Sequence, residues 1–195
     1  MKTDIVLAGV GGQGILTIAA TIGITAINSN LFLKQAEVHG MSQRGGAVQS
    51  HLRLSDQQIY SDLIPRGEAD IVLSVEPMES LRYLPYLSKK GWLVSNTKAY
   101  KNITGYPDEQ EVLKEIRKVP YHIALDADTI ASDLGSRRSS NMVMLGAVSP
   151  FLSIPFEAFE ESIRKIFGRK GEEVVDKNLQ ALEAGIGGKC TDTHT

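Results

Sequence analysis

Cysteine is almost missing: the chain of 195 residues has one, Cys190, close to its end. A single thiol excludes an intrachain disulfide framework, and it excludes an iron–sulfur cluster held by the cysteines of this chain alone. Long apolar runs are missing too. None reaches the roughly 18 residues that a membrane span needs, and Met1-Lys2-Thr3-Asp4 enters a strand with no hydrophobic leader ahead of it. An excess of one charge is also lacking. With 21 Lys and Arg against 23 Asp and Glu, the net charge is −2. Neither nucleic acid nor an anionic membrane surface therefore has an electrostatic attraction for it. The expectation is a cytoplasmic, reducing setting.

Motifs for self-sufficient chemistry are absent as well. There is no Gly-Asp-Gly segment followed by Asn-Asn, no C-x-x-C, no H-E-x-x-H and no G-x-x-x-x-G-K-[ST]. The four histidines, His39, His51, His122 and His194, show no ligand spacing with one another. No complete catalytic constellation and no metal site can be assigned to this chain.

What is present is a globular composition, 42% hydrophobic and 23% charged, enough for one domain with a sizeable core. Asp4–Ala8 reads as a buried first strand. Apolar residues at 15, 16, 18, 19, 22, 26 and 27 give residues 14–27 a broad helical face. Leu31–Leu33 reads as a second strand, and Gln35–Gly46, polar and without period, as a long functional loop. Val48–Leu54 alternates strictly, with Val48, Ser50, Leu52 and Leu54 on one side and Gln49, His51 and Arg53 on the other. Gln58–Asp62 is placed to pair with it as a hairpin across Ser55-Asp56-Gln57. The alternation makes His51 an exposed or hydrogen-bonded side chain rather than a base. Ile71–Val75 reads as a central strand feeding a helix over residues 77–87, with Glu76 where a helix dipole favours a carboxylate.

Strands over 92–95 and 122–125, and helices over 107–118, 127–134, 139–149, 155–167 and 171–184, complete the pattern. No repeat or linker divides it. The alternation predicts an α/β fold: a single three-layer α/β/α domain over residues 1–186, with a Rossmann-like, mostly parallel sheet and a β-hairpin insertion. Residues 187–195 read as a flexible C-terminal tail.

Two segments carry candidate binding chemistry. Gly9-Val10-Gly11-Gly12-Gln13-Gly14 satisfies G-x-G-x-x-G between a strand and a helix. Gly9, Gly11, Gly12 and Gly14 permit a tight turn and close backbone approach, and free N–H groups at the helix start face an anion. The same glycines also suit a turn that packs the helix tightly and meets a partner chain. A freestanding NAD(P)-binding Rossmann-type oxidoreductase would need, in addition, an acidic residue closing the second strand about 20 residues on. That strand is read as ending at Lys34-Gln35, with Glu37 beyond it. In the long loop, Glu37 and His39 precede Ser42, Gln43, Arg44, Gly45 and Gly46, which combine a planar cation, hydroxyl and amide groups and backbone N–H groups suited to phosphate or carboxylate. Arg44 either faces such an anion in a cleft shared with Gly11–Gly14 or pairs with Glu37 and caps carbonyls. Arg137-Arg138-Ser139-Ser140, ahead of the helix containing Asn141, is a second possible anion point, with a solvated basic surface the preferred reading.

Taken together, Gly9–Ile15, Gln35–Val48 and Ser61–Pro65 with Ala69-Asp70 and Glu76-Pro77-Met78-Glu79 resemble the gamma-type subunit or domain of 2-oxoacid:ferredoxin oxidoreductases. K-Q-A-E-V-H-G-M-S-Q-R-G-G with E-P-M-E-x-x-R-Y-L is most similar to the small subunits of the indolepyruvate type. Asn141, Leu145-Gly146-Ala147, Ile154-Pro155 and Asn178 fit as well, so the likeness runs to about Gly185. The resemblance implies an enzyme subunit that is not self-sufficient. It would carry no cofactor of its own, with thiamine diphosphate, Mg²⁺ and [4Fe–4S] clusters on a large partner subunit and ferredoxin met through the complex. The reaction implied is CoA-dependent oxidative decarboxylation of an aryl pyruvate, in anaerobic amino-acid catabolism. This chain would close over the active site and contact coenzyme A. The preferred 2-oxoacid, and whether the isolated chain forms a homodimer, stay open.

Overall fold

Asp4 to Val10 is buried on both faces, and the strand that contains it, Lys2–Val10 (β1), lies inside the sheet. The computed structural model describes residues 1–39, 46–101 and 105–187. On one side of β1 three parallel strands follow in order: β4 (Ala69–Ser74), β5 (Leu87–Asn96) and β6 (His122–Leu125). On the other side β3 (Ala47–Ser55) pairs antiparallel with β1, and β2 (Phe32–His39) pairs antiparallel with β3 at the edge. The order is β2-β3-β1-β4-β5-β6, and β3 alone runs against the other strands.

Alternation along β1 divides the core. Ile5 and Leu7, with Ile71, Leu73 and Val94, face α1 (Ile15–Asn28), α4 (Ala127–Asp133), α5 (Ser140–Val148), α6 (Phe156–Phe167) and α7 (Glu172–Gly187). Val6, Val72 and Leu93 face α2 (Pro77–Tyr83) and α3 (Glu109–Arg117) on the opposite side. The period of two thus sends successive β1 side chains into two separate cores, giving the expected three layers. Helices α1 and α2 follow the adjacent strands β1 and β4 but lie on opposite faces. The crevice between those strand ends is the switch point at which open α/β sheets bind ligands.

Helix α5 is buried from Asn141 to Val148, as a helix that is apolar all round should be. It meets α7 through two glycines. A Cβ on Gly146 would lie 1.9 Å from the Leu182 carbonyl oxygen, and one on Gly185 would lie 2.0 Å from that of Val143. The two backbones are in direct contact there.

Three expectations need correction. Gln58–Asp62 forms no strand; the hairpin partner of β3 is β2, in register from Phe32 opposite Ser55 to His39 opposite Val48. Gln35–His39 is therefore strand, and Glu37 lies within it. An edge strand leaves even Phe32 and Val38 half exposed, so its apolar positions obey no burial period and the segment reads as loop. Residues 61–64 are instead fixed by β3 side chains. Arg53 Nη1 donates to the carbonyls of Ser61 and Leu63, both at 3.1 Å, while the same guanidinium grips the buried Asp4 carboxylate at 2.8 and 3.1 Å. Finally, α2 stops at Tyr83, and after a short turn through Pro85 the chain is already β5 at Leu87. Proline cannot donate the next helical hydrogen bond.

Gly146→Ala should destabilise the fold by about 3 kcal/mol, at the upper end of ordinary overpacking, because the obstacle is backbone. Urea unfolding measures it, and a loss below about 1 kcal/mol would contradict the contact.

Candidate functional site

At the carboxyl edge of the sheet the strand ends are tied together by side-chain amides. Gln13 Oε1 accepts the Val10 N–H at 2.8 Å, and Gln13 Nε2 donates to the Val75 carbonyl at 3.3 Å. Asn96, 3% exposed, uses every group it has. Its Nδ2 donates to the Val75 carbonyl at 3.2 Å and to Asp128 at 2.8 Å, while Oδ1 accepts the N–H groups of Ala127 and Lys98 at 3.1 and 3.3 Å. The ends of β1, β4 and β5 and the start of α4 are thereby locked in one register.

The glycine turn sits on this lattice. Gly12 and Gly14 have φ of 101° and 81°, a region that costs a glycine little and other residues more. Gly9 could not carry a side chain for another reason: its Cβ would lie 2.4 Å from Val75 Cγ2 and 2.8 Å from Ile15 Cδ1. Asn141 Nδ2 donates to the Gly14 carbonyl at 3.3 Å, and a Cβ on Gly14 would strike that amide. Gly14 caps α1, whose first turn has no acidic residue and no side-chain cap. The Thr17 and Ile18 N–H groups bond back to the Gly14 carbonyl at 3.0 and 3.2 Å, which leaves those of Ile15 and Leu16 for an outside acceptor.

These elements floor a cleft of about 710 Å³. Gly12–Gly14 and Thr17 of the first wall face the start of α5 with Arg137, Arg138 and Asn141, and α7 contributes Lys177 and Asn178. Of the cations, Lys177 pairs with Glu173 at 2.6 Å and Lys170 lies over the Phe167 ring. Arg137 and Arg138 have no ion pair among the described residues. Two guanidinium groups, two helix starts and carboxamides in one concavity suit phosphate oxygens. The lining offers no thiolate for an iron–sulfur cluster. Among the described residues no group of three or more His, Cys, Asp or Glu side chains could hold a metal ion.

The predicted site residues divide. Gly9, Gly11, Gly12, Gln13 and Gly14 are brought together, and Gly46 joins them by accepting the Gly11 N–H at 2.9 Å. Only Gly12, Gln13 and Gly14 reach the cleft; Gly9 packs beneath it. Glu37 and His39 lie on β2, which β3 separates from β1. An acidic residue there is two strands from the glycine turn, so the geometry of a dinucleotide ribose contact is not met. Ser42, Gln43, Arg44 and Gly45 fall outside the described residues. Arg137 and Arg138, for which the sequence favours solvated surface over an anion point, line the cleft. Asn96, Tyr100 and Asp128 also line it and carry no motif that would single them out. Glu76 does what its position predicts: 1% exposed, it caps α2 by accepting the Glu79 N–H at 2.9 Å. It also accepts the hydroxyl of Tyr106, which burial and the Glu76 carboxylate push well above the ordinary tyrosine value.

The profile of the family described as Pyruvate ferredoxin/flavodoxin oxidoreductase matches residues 4–187. The chain belongs to this family. Among curated members of the oxidoreductase family it is 40% identical to "Indolepyruvate oxidoreductase subunit IorB" of Archaeoglobus fulgidus, over 95% of this chain and 94% of that one. It is 28% identical to "2-oxoglutarate synthase subunit KorC" of Methanothermobacter marburgensis, over 95% of both. The fold is similar to that of pyruvate oxidoreductase subunit PORC from Thermotoga maritima, with a TM-score of 0.72 and 25% identity over 94% of each chain. It is also similar to part of a 2-oxoglutarate:ferredoxin oxidoreductase from Magnetococcus marinus solved with 2-oxoglutarate, coenzyme A and succinyl-CoA bound. The TM-score there is 0.77 at 23% identity, over 96% of this chain and 31% of that one. The shared architecture is thus an oxidoreductase subunit fold, found both as a separate chain and within a longer one. No described helix is long and apolar enough to cross a membrane.

His51 provides a test away from the cleft. It is 4% exposed, its Nδ1 accepts the Ile64 N–H at 3.0 Å, and its Nε2 is buried with no hydrogen-bond partner among the described residues. Strand alternation placed it on a polar face, but residues 61–64 cover that face. Burial is the main reason its pKa falls below the ordinary 6.5, with Asp62 and Asp4 opposing and Arg53 adding. The unfolded chain therefore binds more protons than the folded one just below pH 6.5, and stability rises with pH there. Its contribution is complete above about pH 6.5 and fades as the pH falls through the folded value. Chemical unfolding of the wild type should show a steeper loss between about pH 7 and 5 than unfolding of His51→Gln; equal slopes would remove His51 from the account.

Proposed function

We propose that this chain is the small subunit of an indolepyruvate-type 2-oxoacid:ferredoxin oxidoreductase. It works with a large subunit that holds thiamine diphosphate, Mg²⁺ and [4Fe–4S] clusters. The complex takes an aryl pyruvate, coenzyme A and oxidised ferredoxin to the aryl acetyl-CoA, CO₂ and two electrons on ferredoxin. Full-length similarity at 40% identity to an indolepyruvate oxidoreductase subunit carries this reading. The cleft chemistry supports it. Asparagine, serine and arginine groups lining a concavity suit the phosphates of coenzyme A, a diffusing co-substrate, and do not supply a redox centre.

Within the complex this chain binds and orients. The N–H groups that start α1, with Arg137 and Arg138, hold phosphate oxygens, while Asn141 keeps the Gly14 turn open beneath them. Ser42, Gln43, Arg44, Gly45 and Gly46 close over the partner's active site. No proton or electron transfer is assigned to this chain.

Co-expression with the large subunit should give a co-purifying complex that reduces a viologen dye with indolepyruvate and coenzyme A. No co-purification and no activity would overturn the reading. In that complex, the double variant Arg137→Ala, Arg138→Ala should raise KM for coenzyme A about tenfold or more, because charge-assisted hydrogen bonds of about 1.5–3 kcal/mol are lost. KM for indolepyruvate should stay put. If Arg44→Ala leaves both assembly and coenzyme A dependence unchanged, the closing role of its loop is wrong.

A further inference from the structure

Between β5 and α3 the chain is fastened from below at several points. The Thr97 N–H donates to the Leu125 carbonyl at 3.0 Å and the Lys98 N–H to Asn96 Oδ1 at 3.3 Å. The Tyr100 N–H reaches Glu76 Oε1 at 3.3 Å, and the Tyr106 hydroxyl donates to that same oxygen. Glu76 is almost fully buried, and its second oxygen is occupied by the α2 cap. Burying a carboxylate is costly unless its oxygens are well served. Here that cost is offset by donors from the segment that it holds.

The outcome is an aromatic ring on a fixed backbone. Tyr100 lines the same cleft as Arg137 and Arg138 and is 46% exposed. An isolated exposed tyrosine needs no explanation. One anchored through its own main-chain N–H to a buried carboxylate, inside a phosphate-suited cleft, offers a π-face on a backbone of set position. Nucleobases stack on such faces whatever their edge chemistry.

We propose that Tyr100 is a stacking platform for the planar base of the phosphate-bearing ligand in the cleft. Glu76 and Tyr106 are positioning residues that hold the platform. The inference rests on the cleft reading above and adds which part of the ligand is recognised beside its phosphates: the adenine ring of coenzyme A. The Tyr100 hydroxyl is not required, so a phenylalanine or tryptophan ring serves as well.

Calorimetric titration of the assembled complex tests this with two ligands, coenzyme A and 4′-phosphopantetheine, which shares the thiol arm but has no base. Tyr100→Ala should weaken coenzyme A about tenfold and leave 4′-phosphopantetheine unchanged, and Tyr100→Trp should restore wild-type binding. Tyr106→Phe should weaken coenzyme A by a smaller factor, with no further loss when added to Tyr100→Ala. Several results would overturn the platform: Tyr100→Ala changing coenzyme A binding less than about twofold, an equal loss for both ligands, or failure of Tyr100→Ala to assemble. A complex of the double variant Arg137→Ala, Arg138→Ala measured alongside separates the levels. If it binds coenzyme A weakly while Tyr100→Ala binds normally, the platform fails and the cleft stands. If neither variant changes binding, the cleft reading itself fails.

Discussion

The main-chain oxygen of Val75 accepts two side-chain amides, from Gln13 in the turn after β1 and from Asn96 at the end of β5. Both of its lone-pair directions are thereby used at a strand end where no ladder partner would otherwise serve it. Each bond contributes only about 1 kcal/mol net, but together they decide geometry. They set the height of the glycine turn relative to β4, the entry of α4 beside Asp128, and the path of the chain towards Tyr100. Removing Gln13 or Asn96 would leave buried polar groups unserved, and the cleft would lose its floor before the sheet lost its order.

The packing above that floor follows a second constraint, close backbone approach. Gly9 admits Val75 and Ile15, Gly14 admits Asn141, and Gly146 with Gly185 lets α5 and α7 touch. Helices drawn in this closely bring the first turns of α1 and α5 to one concavity, where unfilled N–H groups and two arginines favour an anion. A chain built this way can bind and orient.

Much of this was legible from residues close in sequence. Gly9–Gly14 announces itself because the requirement for positive φ and close approach is local, and Glu76-Pro77 marks a helix start for the same reason. Ile71–Ser74 and Leu93–Ser95 read correctly because both their faces are buried, whereas the opening of β5, with Lys89 and Lys90 exposed, does not show itself as strand. Legibility ended where three-dimensional neighbours decide. β2 hides as a loop because an edge strand has no burial period to display. His51 reads as exposed or hydrogen-bonded, and only the placement of residues 61–64 decides for the second, with the Ile64 N–H as its donor. Arg137-Arg138 shows its charge in the sequence but not the concavity around it, and Asn96, Tyr100 and Asp128 meet only because parallel pairing aligns the strand ends.

The central claim is that the ligand's phosphates lie between the start of α1 and Arg137-Arg138. A structure of the assembled complex with coenzyme A bound tests it most directly. The account predicts phosphate density within hydrogen-bond distance of the α1 N–H groups and at least one of the two guanidinium groups. Coenzyme A bound with its phosphates elsewhere, and this cleft holding only solvent, would contradict it.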